Sequence, residues 1–236
     1  MSKYDFALDM EADNSNSLIL RNVARGSEVL ETACAHGRMT RYLRETLECR
    51  VTVVEYDAEA GASAAKFAAD SRHIGPQLGD LEKGPWYDTL KKEGRSFDVI
   101  VMADVLEHLS DPAKLLSRAK DLLKPGGSIW ISVPNFTHNA VLIEMLNGRF
   151  DYRDVGLLDS THVHFFSGVS LEAMVRGAGL SVVKRLDPVL KVKRTEIKNS
   201  YRDVPWYVAL YLKLRKGGEV YQFVWELKAK TGSPSS

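Results

Sequence analysis

Residues 149–166, RFDYRDVGLLDSTHVHFF, crowd ionisable and aromatic side chains into one loop-like stretch. His162 is the candidate general base, because an imidazole exchanges its proton near neutral pH. Asp159, three residues earlier, can set its tautomer by accepting from the other ring nitrogen. His108 and His138, near the ends of two other segments, are alternative bases. Arg149, Tyr152, Arg153 and His164 are candidates for substrate contact, and the arginine forks would suit a phosphate. Asp159, His162 and His164 are metal-binding residue types, but loop histidines are more often structural anchors, and no metal is expected.

A second constellation lies upstream. Val29–Leu43 (VLETACAHGRMTRYL) reads as a strand, a small-residue loop and a helix. Ala33, Ala35 and Gly37 let backbone approach a ligand closely, and the helix start offers free N–H groups to an anion. Glu55 ends the next strand, about 20 residues after that loop, where a carboxylate can accept ribose hydroxyls. Asp57 lies close enough to share the role. Gly79-Asp80-Leu81 offers a carboxylate for a nucleobase amino group. Ala103–Leu109 (ADVLEHL) can set apolar side chains on a base and polar ones toward a reacting group. Dinucleotide-binding domains use similar loops, so the spacing alone leaves the ligand open.

These groups need a frame that brings distant segments together. Short apolar strands are expected at Glu28–Glu31, Val51–Glu55, Ile74–Leu78, Phe97–Met102 and Ser128–Val133. Helices are expected at Arg38–Glu48, Ala58–Ala69 and Asp111–Leu123. The last of these starts at Asp-Pro and stops at Lys124-Pro125-Gly126-Gly127. The alternation predicts a Rossmann-like, doubly wound α/β sheet, mostly parallel and seven-stranded, with helices on both faces and an antiparallel last strand. Such sheets bind ligands at the carboxyl ends of their strands. Further on, Thr137–Gly148 and Ser170–Gly177 read as helices, and Leu180–Leu186 and Val220–Leu227 as strands. Asp187–Glu219 is basic and aromatic, a lid or partner surface.

The chain is 44% hydrophobic and 27% charged, ordinary for a globular domain, with a net charge of +1. That near-neutral balance argues against nucleic acid as a partner. No apolar run approaches the ~18 residues of a membrane span. Two cysteines and no leader pattern fit a cytoplasmic setting. One domain is expected over 1–230, with a core near 28–135, a substrate-side insert and lid near 136–219, and a disordered tail at 231–236. A homodimer is a candidate assembly.

In order, VLETACAHGRMTRYL, VVEYD, GDLE, FDVIVMADVLEHLSDP and LLKPGGSIWISVPN resemble the successive motifs of class I S-adenosylmethionine-dependent methyltransferases. Residues 148–166 are similar to a bacterial subgroup associated with sugar and surface-polysaccharide modification. The resemblance implies S-adenosylmethionine as cofactor, held by Glu31, Ala33, Ala35 and Gly37 in the first loop. It implies ribose contacts at Glu55 beside Tyr56, and adenine contacts at Asp80 and Leu81. Asp104 and Val105 would lie beside the cofactor. The implied reaction is O-methylation of a sugar, nucleotide-linked sugar or glycan; another small molecule, such as a quinone-like acceptor or an amine, is the alternative, and a non-catalytic binding protein the third reading. The chain departs from the family at Ala33 and Ala35, where glycine is usual. Each adds a methyl group and disfavours positive φ.

Overall fold

The computed structural model describes residues 8–75 and 77–230. The segment 231–236, expected to be disordered, lies outside them. In chain order the elements are α1 (Ser15–Leu20), β1 (Glu28–Thr32), α2 (Arg38–Glu45), β2 (Arg50–Glu55), α3 (Ala58–Ala64), β3 (Asp70–His73), α4 (Asp80–Lys83), α5 (Trp86–Lys92) and β4 (Phe97–Ala103). They continue with α6 (Pro112–Asp121), β5 (Leu123–Pro134), α7 (Asn139–Leu146), α8 (Gly168–Gly177), β6 (Leu180–Arg185), α9 (Trp206–Leu214) and β7 (Gln222–Ala229).

Period-two burial builds the sheet. Val29, Val53, Val101 and Trp130 face one side, against Ile19, Met39, Leu43 and Ala64 from α1, α2 and α3. Leu30, Val54, Ile100 and Ile129 face the other, against Leu81, Trp86, Leu115 and Leu171 from α4, α5, α6 and α8. Both faces are thus covered, as a parallel sheet requires. The seven strands run in the order β3-β2-β1-β4-β5-β7-β6. β7 is antiparallel to both neighbours, so the expected mostly parallel, doubly wound sheet is the observed one. The chain reverses its winding between β1 and β4, and the crevice at their carboxyl ends is the natural ligand position.

Several local expectations change. The third strand is Asp70–His73, not Ile74–Leu78. It is a polar edge strand whose Arg72 bridges Asp70 and Glu93, and an edge strand with charged side chains carries no apolar signal. The sequence Lys124-Pro-Gly-Gly127 does not precede β5 but lies inside it. Phe97 pairs with Leu123 and Val99 with Ser128, so four residues bulge out of the ladder. The helices expected to run to Glu48 and Ala69 stop at Glu45 and Ala64. Among the described residues, no helix is long and apolar enough to cross a membrane.

Candidate active site

The carboxyl ends of β1, β2 and β4, closed over by residues 155–162, wall a cavity of about 760 Å³. The first loop reaches it with two residues in the left-handed region, Ala33 (φ 50°) and Ala35 (φ 48°). The glycine-like backbone is therefore kept although the glycines are not. A non-glycine residue there costs about 1–3 kcal/mol. Surrounding contacts hold the shape: Ala33 N–H donates to Val54 O at 2.8 Å and Ala35 N–H to Glu55 Oε2 at 2.7 Å. Gly37 (φ 80°) caps α2, and a Cβ on it would lie 2.7 Å from Ala64 Cα. Its glycine is demanded by the approach of α3, and Gly37 itself does not line the cavity.

The charges on the cavity wall discriminate between ligands. Glu31, Glu55, Asp57, Asp104, Glu107 and Asp159 line it against a single arginine, Arg38. Such a wall repels the pyrophosphate of a dinucleotide and attracts a cation. Glu31 is buried and accepts from Thr40 Oγ1 at 2.7 Å. Burial nevertheless pushes its carboxyl up to about 7. Glu55 accepts from the N–H groups of Tyr56 and Asp57 at 2.8 and 3.0 Å. Asp104 (φ 55°) faces the cavity, takes Ser132 Oγ at 2.8 Å and Gln222 Nε2 at 2.9 Å, and is raised by desolvation.

Glu107 stands apart. It is 1% exposed, neither carboxylate oxygen has a hydrogen-bond partner, and burial holds it well above the usual carboxylate range. A carboxylate buried at such cost without a partner implies a cationic or proton-bearing partner from outside the chain.

His108 and His162 lie beside it, their rings 4.9 Å apart and edge to face. Asp159 Oδ1 accepts from Thr161 N–H at 2.9 Å and from Thr161 Oγ1 at 2.7 Å. Thr161 Oγ1 has spent its proton there, so toward His108 Nδ1, 3.2 Å away, it can only accept. Thr161 O, also 3.2 Å from Nδ1, is an acceptor too. Nδ1 of His108 therefore carries the proton, and Nε2 carries the lone pair. A hydrogen-bond chain thus runs from Asp159 through Thr161 to His108. Glu107, His108 and His162 each offer one ligand atom within 4.8 Å of the others, a set able to hold a divalent cation. Two of these three residues sit in ADVLEHL, outside the 149–166 loop.

Other expected site residues lie elsewhere. Asp80 and Leu81 are not on the cavity wall: Asp80 Oδ2 accepts from Gln77 N–H at 3.1 Å, closing the turn before α4, and Leu81 is buried in the core. Gln77 and Leu78 reach the cavity in their place. Tyr56 lines it, but Val105 is core. Arg149 and Arg153 line a separate polar cleft and pair with the buried Glu144 at 3.2 and 3.7 Å. Tyr152 is exposed and edges onto Phe150. His164 stacks on Phe166, with Nε2 3.1 Å from Ser110 O. His138, the alternative base, is fully buried, with Nε2–H donating to Leu190 O at 2.8 Å and Nδ1 accepting from Ala140 N–H at 3.1 Å. Burial lowers its pKa, and it caps α7. Sequence reasoning missed Thr161 and Gln222, which act only through contacts distant in the chain.

A cation-seeking cavity at the switch point of a seven-stranded sheet with an antiparallel β7 defines the class: an S-adenosylmethionine-dependent methyltransferase. The chain belongs to the family described as "Methyltransferase domain", whose model matches residues 9–185. It is 25% identical over 188 residues to the ubiquinone biosynthesis O-methyltransferase of Xanthomonas axonopodis pv. citri, covering 80% of this chain and 77% of that one. To the enzyme of the same name from Xylella fastidiosa it is 28% identical over 155 residues, 66% and 61% of the two chains. The fold superimposes on the CcbJ methyltransferase of Streptomyces caelestis with a TM-score of 0.56 at 15% identity, covering 95% and 100% of the chains.

Proposed function

We propose that this methyltransferase acts on a hydroxyl of a small aromatic acceptor of the phenol or catechol type. The observation that carries the reading is the grouping of Glu107, His108 and His162 on the cavity wall. When bound, S-adenosylmethionine supplies a methyl group already activated on a sulfonium. What the chain must add is orientation, worth roughly 7–11 kcal/mol, and removal of the hydroxyl proton. Glu31, Glu55 and the Ala33–Ala35 backbone hold the cofactor, and Gln77 and Leu78 complete the adenosine end. His108 Nε2, with its tautomer fixed by Thr161, takes the acceptor proton. Glu107 stabilises the imidazolium that forms. A phenol, with a pKa near 10, is within reach of such a base, whereas an aliphatic hydroxyl is far less acidic. That the Xanthomonas and Xylella relatives are ubiquinone biosynthesis O-methyltransferases supports a quinone-related, aromatic acceptor.

A nucleotide-linked sugar has less support, since the arginines expected to clamp its phosphate, Arg149 and Arg153, are engaged with Glu144. The test is methyl transfer from S-adenosylmethionine to a panel of catechols, simple phenols and nucleotide sugars, with products detected by mass, with and without magnesium or zinc. Methylated catechols are expected. Methylated sugars with untouched catechols would overturn the acceptor class.

A further inference from the structure

α9 has two apolar faces. Ala209 and Leu212 are buried, Leu212 in a small cluster with Ala140, Ile143 and Val192. On the other side Trp206, Tyr207, Leu210, Tyr211 and Leu214 are 49–77% exposed. At roughly 100° per residue these five positions fall within an arc of about 140°, one continuous stripe. Three large aromatics and two leucines in water on a nine-residue helix are a costly surface unless something covers them.

The charges around it identify the cover. Residues 187–219 contain seven exposed lysines and arginines but one exposed carboxylate, Asp203, which caps Ser200 N–H at 2.7 Å. The other carboxylates of this segment are turned inward: Asp187 accepts from Trp225 Nε1, Glu196 from Tyr221 Oη and Glu219 from Tyr201 Oη. The segment therefore presents a strongly basic surface although the whole chain carries only +1. A second copy would meet this surface poorly, because a two-fold contact sets identical basic patches against one another. Tryptophan, tyrosine and leucine in one stripe, bordered by lysine and arginine, match the interface of an anionic bilayer.

We propose that α9 is a docking helix, seating its Trp206–Leu214 stripe in the headgroup layer of an anionic lipid surface. The protein would then lie on the membrane without crossing it.

The chain supplies its own reporter. Of the four tryptophans, Trp86, Trp130 and Trp225 are buried and Trp206 is 77% exposed. Full-length protein mixed with phosphatidylglycerol-containing vesicles at low salt should co-sediment, with a blue-shifted emission that Trp206→Phe removes. Vesicles of phosphatidylcholine alone should bind at least tenfold less. Leu210→Ser with Leu214→Ser should lower binding more than tenfold, and Lys213→Ser or Lys216→Ser about fivefold each. S-adenosylhomocysteine affinity, measured by calorimetry, should not change in any of these variants, showing that they fold. Equal binding to both vesicle types, or to neither, would overturn the proposal. So would a dimer in sedimentation velocity that the leucine variants dissolve while vesicle binding is unaffected.

Discussion

Two glutamates, Glu107 and Glu144, are buried to nearly the same degree, 1% and 3% exposed, and do opposite things. Glu144 accepts from Arg149 and Asn199, each at 3.2 Å, and pairs with Arg153. Its charge is answered within the chain and ties α7 to the 149–153 loop. Glu107 receives no side-chain hydrogen bond and sits on the cavity wall. Burial alone separates neither; the supply of partners does. A carboxylate that the fold has satisfied serves stability, and one that it has left unanswered is held for a ligand or a proton.

The largest effect that would sharpen this comparison is catalytic. Glu107→Gln keeps the shape and removes the charge, so turnover should fall by about 10²–10⁴-fold. Thermal stability should stay level or rise, since an orphaned charge is gone. His108→Ala should fall in the same range with cofactor affinity retained. Glu144→Gln should do the reverse, costing about 2–3 kcal/mol in urea unfolding, below the ~3–5 of a fully buried pair because Arg149 is half-exposed. A Glu144 variant that unfolds normally but turns over slowly would break the contrast.

The next effect is in pH. Glu31 keeps its proton up to about pH 7 in the folded chain, whereas an unfolded chain releases it near 4.5. Its cost to stability therefore grows as pH rises from 4.5 to 7 and is constant above. A cationic ligand favours the ionised form, so S-adenosylmethionine, whose sulfonium and ammonium both carry positive charge, should bind roughly eightfold more tightly at pH 7.5 than at pH 6, with the proton release visible in calorimetry. Glu31→Gln should flatten that dependence; an unchanged slope would remove Glu31 from the site. The smallest effect lies in the loop. Ala33→Gly and Ala35→Gly relieve left-handed strain and should each stabilise the folded chain by about 1 kcal/mol. A loss of stability at either position would show that the methyl groups contribute packing that outweighs the strain.

Much of this frame was legible because β-branched runs such as VTVVE and FDVIVM sit in strands buried on both faces, where composition alone carries the signal. β3 was misplaced because Asp-Ser-Arg-His is chosen for an edge and has no apolar residue. α9 escaped because apolar residues on two sides leave a helix with little directional pattern. In the site, Glu55 and Asp104 were placed by their position at strand ends, which topology fixes. Val105 sits next to Asp104, which does reach the cavity, and one position along a strand end reverses where a side chain points; Asp80 lies two residues past Leu78, the last residue of its turn on the wall. Glu107 was visible in ADVLEHL, but nothing in a one-dimensional string shows that a carboxylate will lack partners. The Thr161 link to His108 joins residues 53 positions apart.

The placement of β7 has a consequence for how the enzyme comes into being. This strand lies between β5 and β6, and Gln222 at its start holds Asp104 while Tyr221 and Gln222 both face the cavity. A ribosome releases residues 222–229 after every other strand has been made. Until then β5 and β6 have no common neighbour and Asp104 lacks one of its two side-chain partners. The growing polypeptide can thus assemble β1 to β5 early, yet must keep a slot open in its sheet for the last strand to fill. Competence to hold the cofactor side of the cavity in its final form arrives only once β7 has been made and has entered the sheet, as a late event and not a gradual one.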